Sequence, residues 1–551
     1  MLYWFPISYF TFYKAPFGQD YCMNKVFNSN LLFFFGVIGI LFIYHLFLIP
    51  ANLDLSDEAF SQFMDEQIFY DAIKSILNSN TFSEGCSNYA FGDQRYGRIV
   101  YLFGALFAYF PEKFWGESGQ IIATRFLFSS ALFGSYLLLI RVFIKDNLFR
   151  IILFLLIMAI PSTAYYSTMP KPEPFLLLFF AIFCWFYFEK KSGNWHFLLL
   201  GLAFGCKVSL LLVVGLIFLF ESELLNIWPI RFNIIYLWNR VKFKLLFFSI
   251  GLGIAVPILP LSIIQPSGIR SYLGATLFNT SHGADSPSVT IVSWVQGIIF
   301  DWIQAPPILT IALGIIIFLS IIYRLVLGPK ILVNTPDKFM FALVVAIVSI
   351  FSILFLVKRV WYMYLNFGLV FALIALMISI EFLIARSKRH NYFGWVIILF
   401  CVLFSLAYLL PQEKTELLFL SNRTKTNEYK IEKAKYNLYV GVLNKAKNQN
   451  KGREISAFVD PYLFRLYSNE FKIEQFWGPF IDWDKGYDFV VLTNQSNPIF
   501  FLPPYTSPQN CSICVISAQK FTQFVDNQKS LVNYHRYLST QDGMVIYKRV
   551  N

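Results

Sequence analysis

WHFLLLGLAFGCKVSLLLVVGLIFLF, residues 195–220, is apolar along its whole length apart from His196, Lys207 and Ser209. How this run meets hydrocarbon decides the orientation of everything after it. As one helix it is long enough to cross, since about 20 apolar residues suffice. That reading sends Arg231, Arg240, Lys242 and Lys244 to the outer side, and every later basic loop with them. Basic residues gather in loops on the inner side, so a single crossing violates the charge rule. Two short helices that turn back near Cys206 and Lys207 satisfy it. Each arm then rises only ~18 Å against a hydrocarbon core of ~30 Å. Such a hairpin needs cover from neighbouring helices or a thinned bilayer. The hairpin is the reading adopted.

The rest of the chain supports a polytopic membrane protein. Of 551 residues, 57% are apolar and 14% charged, against roughly half and a quarter in soluble domains. The net charge of +12 would suit nucleic acid, but its placement argues against that partner. Lys145 with Arg150, Lys190 with Lys191, Arg240 with Lys242 and Lys244, Arg324 with Lys330, and Arg386 with Lys388 and Arg389 all fall in short loops between apolar runs. The basic balance is topology. Residues 1–12 lack the basic start and small-residue exit of a cleaved signal, so residues 1–30 read as a cytoplasmic segment and 31–50 as a retained first span.

Further spans are expected at 121–142, 151–164, 174–188, 245–264, 308–322, 339–357, 362–384 and 392–410. With the hairpin they make about eleven membrane segments. Residues 31–410 thus form one transmembrane domain with outer loops at 51–120 and 265–307. In the first loop, Phe60, Phe63, Met64, Ile68, Ala72, Ile73 and Ile76 recur at helical spacing, which predicts an amphipathic interfacial helix. Residues 98–110 are apolar but too short to span, and read as a second surface helix. The tail, 411–551, is far more polar. A basic helix over 413–451 and strands at 455–459, 489–492, 514–516 and 544–549 predict a small soluble α/β domain on the outer face. Cys511 and Cys514 there suit either a small disulfide loop or two free thiols.

Ionisable residues at the ends of spans are costly and therefore functional candidates. Asp57 and Glu58 follow the first span directly. Their plain reading is a solvated helix start capped by Ser56. Lys207 stands at the predicted outer turn of the hairpin. STMPKPEPFLL, residues 167–177, puts Lys171 and Glu173 at the outer end of a helix pair, where a local ion pair is the plain reading. Arg125 opens a span on the same side. LVKRVWYMYLNFG, residues 356–368, brings Lys358, Arg359 and the aromatic Tyr362 to a short outer loop, against the positive-inside rule. A bound anion would explain those cations; an accidental exception is the alternative. An acid and several bases around one outer-surface pocket suit group transfer from a lipid phosphate. A carboxylate takes a proton from the attacking hydroxyl, and lysine or arginine stabilises the departing phosphate.

Four stretches carry a family likeness: SDEAFSQF after the first span, residues 96–134 with their arginine-led span, GLAFGCKVSLLLVVG, and KRVWYMYLNFGLVFALIA. Together they resemble the GT-C glycosyltransferases of the protein mannosyltransferase and aminoarabinose transferase type, over roughly the first four hundred residues. The resemblance implies a GT-C-like transmembrane fold and a catalytic carboxylate at Asp57, with Glu58 beside it. It also implies a polyprenyl-phosphate sugar donor, inversion at the anomeric carbon, and Lys207, Arg359 and Lys358 facing the lipid phosphate. MPKPEPF departs from the arginine-plus-aspartate pattern expected there, with Glu173 as the substitute. Arg270 and His282, in the second outer loop, match no motif and are assigned to the pocket by their side of the membrane alone. The acceptor on this reading is a lipid, glycan or protein, and no cofactor is required. A divalent cation on outer-loop carboxylates stays open. The AT-rich-looking composition leans towards a bacterial inner membrane with the site and tail on the periplasmic face. A lipid-linked-sugar transporter or flippase, which would favour charges near the midplane and internal symmetry, and a non-catalytic envelope-assembly scaffold are the alternatives.

Overall fold

The computed structural model describes residues 35–47, 53–54, 59–60, 64–92, 96–190, 193–221, 234–261, 318, 322, 338–356, 365–386, 391–422, 427–450, 453–460, 463–466, 471–474, 486–493 and 534–550. It is mostly helical, with a small sheet in the tail. Among the described residues one helix, Arg98–Phe143, is long and apolar enough to cross a membrane, and seven shorter apolar helices accompany it.

Helix α1 (Phe35–Phe47) precedes two short strands, β1 (Leu53–Asp54) and β2 (Ala59–Phe60). The expected amphipathic helix begins later than its apolar spacing suggests: α2 is Met64–Leu77, and Phe60 belongs to β2. It buries Phe69, Ala72 and Ile73. After α3 (Phe82–Phe91) comes α4 (Arg98–Phe143), which joins the expected surface helix to the following span across a break. Trp115 and Gly116 leave helical geometry there, with Gly116 at φ +62°, a conformation open to a residue without Cβ. The first part of α4 exposes Phe103, Leu106, Phe107, Phe110, Phe114 and Trp115, whereas the second buries Phe128, Leu132, Tyr136 and Leu139.

The span expected at 151–164 is two pieces. Helix α5 (Asn147–Met158) ends ahead of Pro161, which opens α6 (Pro161–Thr168) as a first-turn proline with no N–H to satisfy. Helix α7 is Glu173–Trp185. Then α8 (Phe197–Cys206) and α9 (Leu211–Glu221) fold back on each other at Lys207. The rings of Phe197 and Phe218 lie 5.4 Å apart; in one straight helix they would be separated by roughly 30 Å. Helix α10 (Ile234–Ala255) packs along α8 so closely that a Cβ on Gly201 would strike the Phe248 carbonyl, and one on Gly251 the Leu198 carbonyl. The Gly201 and Gly205 pair, four apart, is what permits this approach. Helices α11 (Lys338–Leu356), α12 (Asn366–Arg386) and α13 (Asn391–Asn422) complete the bundle, with α13 running on through Pro411.

In the tail, α14 (Asn427–Gln449) covers a mixed five-stranded sheet. Its strands are β3 (Ile455–Val459), β5 (Phe471–Glu474), β6 (Phe489–Leu492), β7 (Tyr534–Ser539) and β8 (Val545–Arg549), in the order β5-β3-β6-β8-β7. Strand β3 runs parallel to β5 and β6, and β8 pairs antiparallel with β6 and β7. The remaining strand, β4 (Arg465–Leu466), joins β1 and β2, far earlier in the chain, instead. The expected strand at 514–516 and the Cys511–Cys514 pair lie outside the described residues.

Candidate functional site

Lys207 and Glu173 come from two different turns. Glu173 opens α7 behind Pro170 and Pro172, where a carboxylate suits the positive end of the helix. Lys207 ends α8 in extended conformation, φ −157° and ψ 124°, so its side chain leaves at the hairpin tip. The two form an ion pair. Beside the local Lys171–Glu173 reading, the fold gives Glu173 a partner 34 residues away, because the hairpin tip reaches the α7 start. Both side chains are largely withdrawn from solvent, at 19% and 10% exposure, and a pair so placed must offset its own desolvation. The second Glu173 oxygen, Oε2, is buried without a hydrogen-bond partner among the described residues. Lys171 is buried next to it in sequence.

The segment between α1 and α4 closes over this tip. The Gly97 N–H donates to the Cys206 carbonyl at 3.4 Å. Arg98, buried at the start of α4, donates through Nε to the Tyr89 carbonyl at 2.7 Å and through Nη2 to the Asn88 carbonyl. The Tyr89 hydroxyl in turn donates to the Ile254 carbonyl at the end of α10, at 2.6 Å. Burial pushes that phenol up to about 12, against the opposing pull of Arg98. Arg98 thus ties the start of α4 to the end of α3 at two carbonyls, a role no sequence signal separates from an ordinary interfacial arginine.

Arg125 is buried beneath the same loop. Its Nε donates to the Tyr70 hydroxyl at 3.1 Å, and Gln120 donates to the Tyr70 carbonyl at 3.2 Å. Lys74 of α2 pairs with the buried Glu117. Aromatic rings connect the Arg125 side to the Glu173 side: Phe69 to Phe128 at 5.7 Å, Phe128 to Phe175 at 5.0 Å, and Phe175 stacked on Phe103 at 5.5 Å. One turn further, the Tyr136 hydroxyl donates to Asn366 Oδ1 at 3.2 Å, and the Asn366 amide donates to Ser162 at 2.8 Å. Asn366 opens α12, so this buried network ties the start of that helix to α4 and α6. Sequence reasoning missed Asn366; its signal was an amide at the head of an apolar run.

Lys207, Glu173, Lys171 and Arg125 are therefore described. Asp57, Glu58, Lys358, Arg359, Tyr362, Arg270 and His282 lie outside the described residues. Strands β1 and β2 bracket Asp57 and Glu58 along the chain, through the pairing of Asp54 with Ala59. Among the described residues no group of three or more His, Cys, Asp or Glu could hold a metal ion. The sequence matches no protein-family model and no curated protein.

Proposed function

We propose that the chain is an inverting glycosyltransferase of GT-C type, which moves a sugar from a polyprenyl phosphate to an acceptor hydroxyl at the outer face of the membrane. The observation that carries this reading is Lys207 held at the tip of a re-entrant hairpin, paired with a carboxylate that keeps one oxygen open. A cation at a helix-hairpin tip, at the level of the headgroups, suits a lipid phosphate that enters from the bilayer.

The reaction has one displacement. Asp57 takes the proton from the acceptor hydroxyl as its oxygen attacks the anomeric carbon. The bond from that carbon to the phosphate oxygen breaks, the centre inverts, and polyprenyl phosphate leaves with the bonding electrons. Lys207, together with Arg359 and Lys358, offsets the charge that grows on the phosphate. Glu173 keeps the Lys207 ammonium oriented between turnovers. The step as written balances without a cofactor. In this reading the chain crosses the membrane with about eleven segments, sits in a bacterial inner membrane, and keeps its tail on the periplasmic side.

The test is release of polyprenyl phosphate from a panel of polyprenyl-phosphate sugars by wild type and Asp57→Asn in nanodiscs. The expected result is turnover of at least one donor by wild type and a loss on the order of 10²–10⁴-fold in the variant, with donor binding retained. Equal turnover by both proteins removes Asp57 from the chemistry. Folded wild type that acts on no donor removes the transferase reading.

A further inference from the structure

The tail holds on to the first outer loop by a strand. Antiparallel pairing sets Leu53 against Phe60 and Asp54 against Ala59. Beyond β2, Ala59 faces Leu466 and Phe60 faces Arg465. A two-stranded hairpin with two residues in each arm has too few ladder bonds to stand alone in water, and a third strand is the usual minimum. The third strand here comes from the far end of the chain.

Strand β4 is itself firmly set in the tail. Phe464 and Leu466 are buried in the tail core with Tyr436, Tyr439 and Leu443. The Tyr439 hydroxyl donates to the Phe464 carbonyl. The Leu463 N–H donates to the Asp460 carbonyl at 3.0 Å, and the Asp460 N–H to the Val491 carbonyl at 2.9 Å. The fully buried Asp460 carboxylate accepts from the Thr493 N–H at 3.0 Å and from its hydroxyl at 2.6 Å. Strand β4 is therefore anchored to the β3 and β6 ends of the tail sheet.

We propose that the tail is a positioning element for the acidic loop: β4 completes the sheet that brackets Asp57 and Glu58, and the tail core sets its register. The edge of β2 supplies the main-chain groups and β4 answers them, which is strand addition within one chain. The catalytic consequence rests on the transferase reading; the placement does not. An acceptor-binding tail would need no such ladder, because its contacts would be with substrate.

The experiment has two readouts on the full-length protein in nanodiscs. In a background with Cys22, Cys86, Cys511 and Cys514 replaced by serine, Phe60→Cys with Arg465→Cys is oxidised mildly and the linked peptides are identified by mass spectrometry. His535→Cys with Lys548→Cys, paired in β7 and β8, is the control. A 60–465 bond as complete as the control is expected; no such bond while the control forms overturns the placement. The second readout is Arg465→Pro, which removes an N–H and restricts the backbone of β4. A fall in kcat on the order of 10²-fold is expected, with donor KM within about threefold, while the 535–548 bond still forms and reports a folded tail. Wild-type kcat in that variant overturns the positioning role. Wild type inactive on every donor ends the transferase reading, and the 60–465 bond alone then decides whether β4 holds the loop.

Discussion

At one end of the α8–α9 hairpin Lys244 pairs with Glu221; at the other, Lys207 pairs with Glu173. Both pairs join a lysine to a carboxylate across an apolar bundle, and both are similarly withdrawn from water. They differ in completeness. Both Glu221 oxygens are answered, Oε2 by Lys244 and Oε1 by the Tyr187 hydroxyl at 2.6 Å. Glu173 has Lys207 on Oε1 and no described hydrogen-bond partner on Oε2. A closed pair is a structural rivet that ties α9 to α10 and to Tyr187, just past the end of α7. In an open pair a buried carboxylate oxygen keeps its hydrogen-bonding capacity, and the proposed function assigns that capacity to a ligand.

The sharpest way to break this contrast is to neutralise each carboxylate. Glu173→Gln should lower donor turnover on the order of 10²-fold and destabilise the fold by about 3 kcal/mol, because Lys207 is stranded. Glu221→Gln should leave turnover of the folded protein within about threefold and destabilise it by about 3 kcal/mol, because Lys244 is stranded. A thermal-shift series with a polyprenyl phosphate release assay separates the two. The hairpin that carries both pairs is tested by Gly201→Val. Its new side chain meets the Phe248 carbonyl, so a loss of about 1–3 kcal/mol is expected in a denaturation assay. Tyr187→Phe should cost about 1–2 kcal/mol by leaving a Glu221 oxygen unanswered, with turnover intact. The smallest effect is in the loop over the open end. The Tyr89 phenol is raised to about 12 by burial, above the unfolded value of about 10. Its contribution is therefore complete below about pH 10 and drains away as pH climbs to about 12. Tyr89→Phe should flatten the melting profile across that window.

The hairpin was legible because charge parity reports on sidedness over long distances. A single misplaced crossing would have reversed Arg240, Lys242 and Lys244 together. Both partners of the open pair were legible as residues at helix turns, yet their pairing was not. Lys171 is two residues from Glu173, and only the fold brings Lys207 nearer. Arg98 and Tyr70 escaped notice because an interfacial arginine and a tyrosine in an amphipathic helix need no partner to be explained. The sheet of β1, β2 and β4 was beyond sequence reading for a physical reason. Two-residue strands are too short to show alternation, and their pairing joins Ala59 to Leu466. Phe60 fitted a helical period and was read as helix, when its ladder partner lies in the tail.

The most direct measurement is polyprenyl phosphate release by Lys207→Met beside Lys244→Met, each shown to be folded by its melting transition. The expected result is a loss on the order of 10²–10³-fold for Lys207→Met, with Lys244→Met within about threefold of wild type though less stable. Equal turnover in the two variants would contradict the account, since the open pair would then be as structural as the closed one.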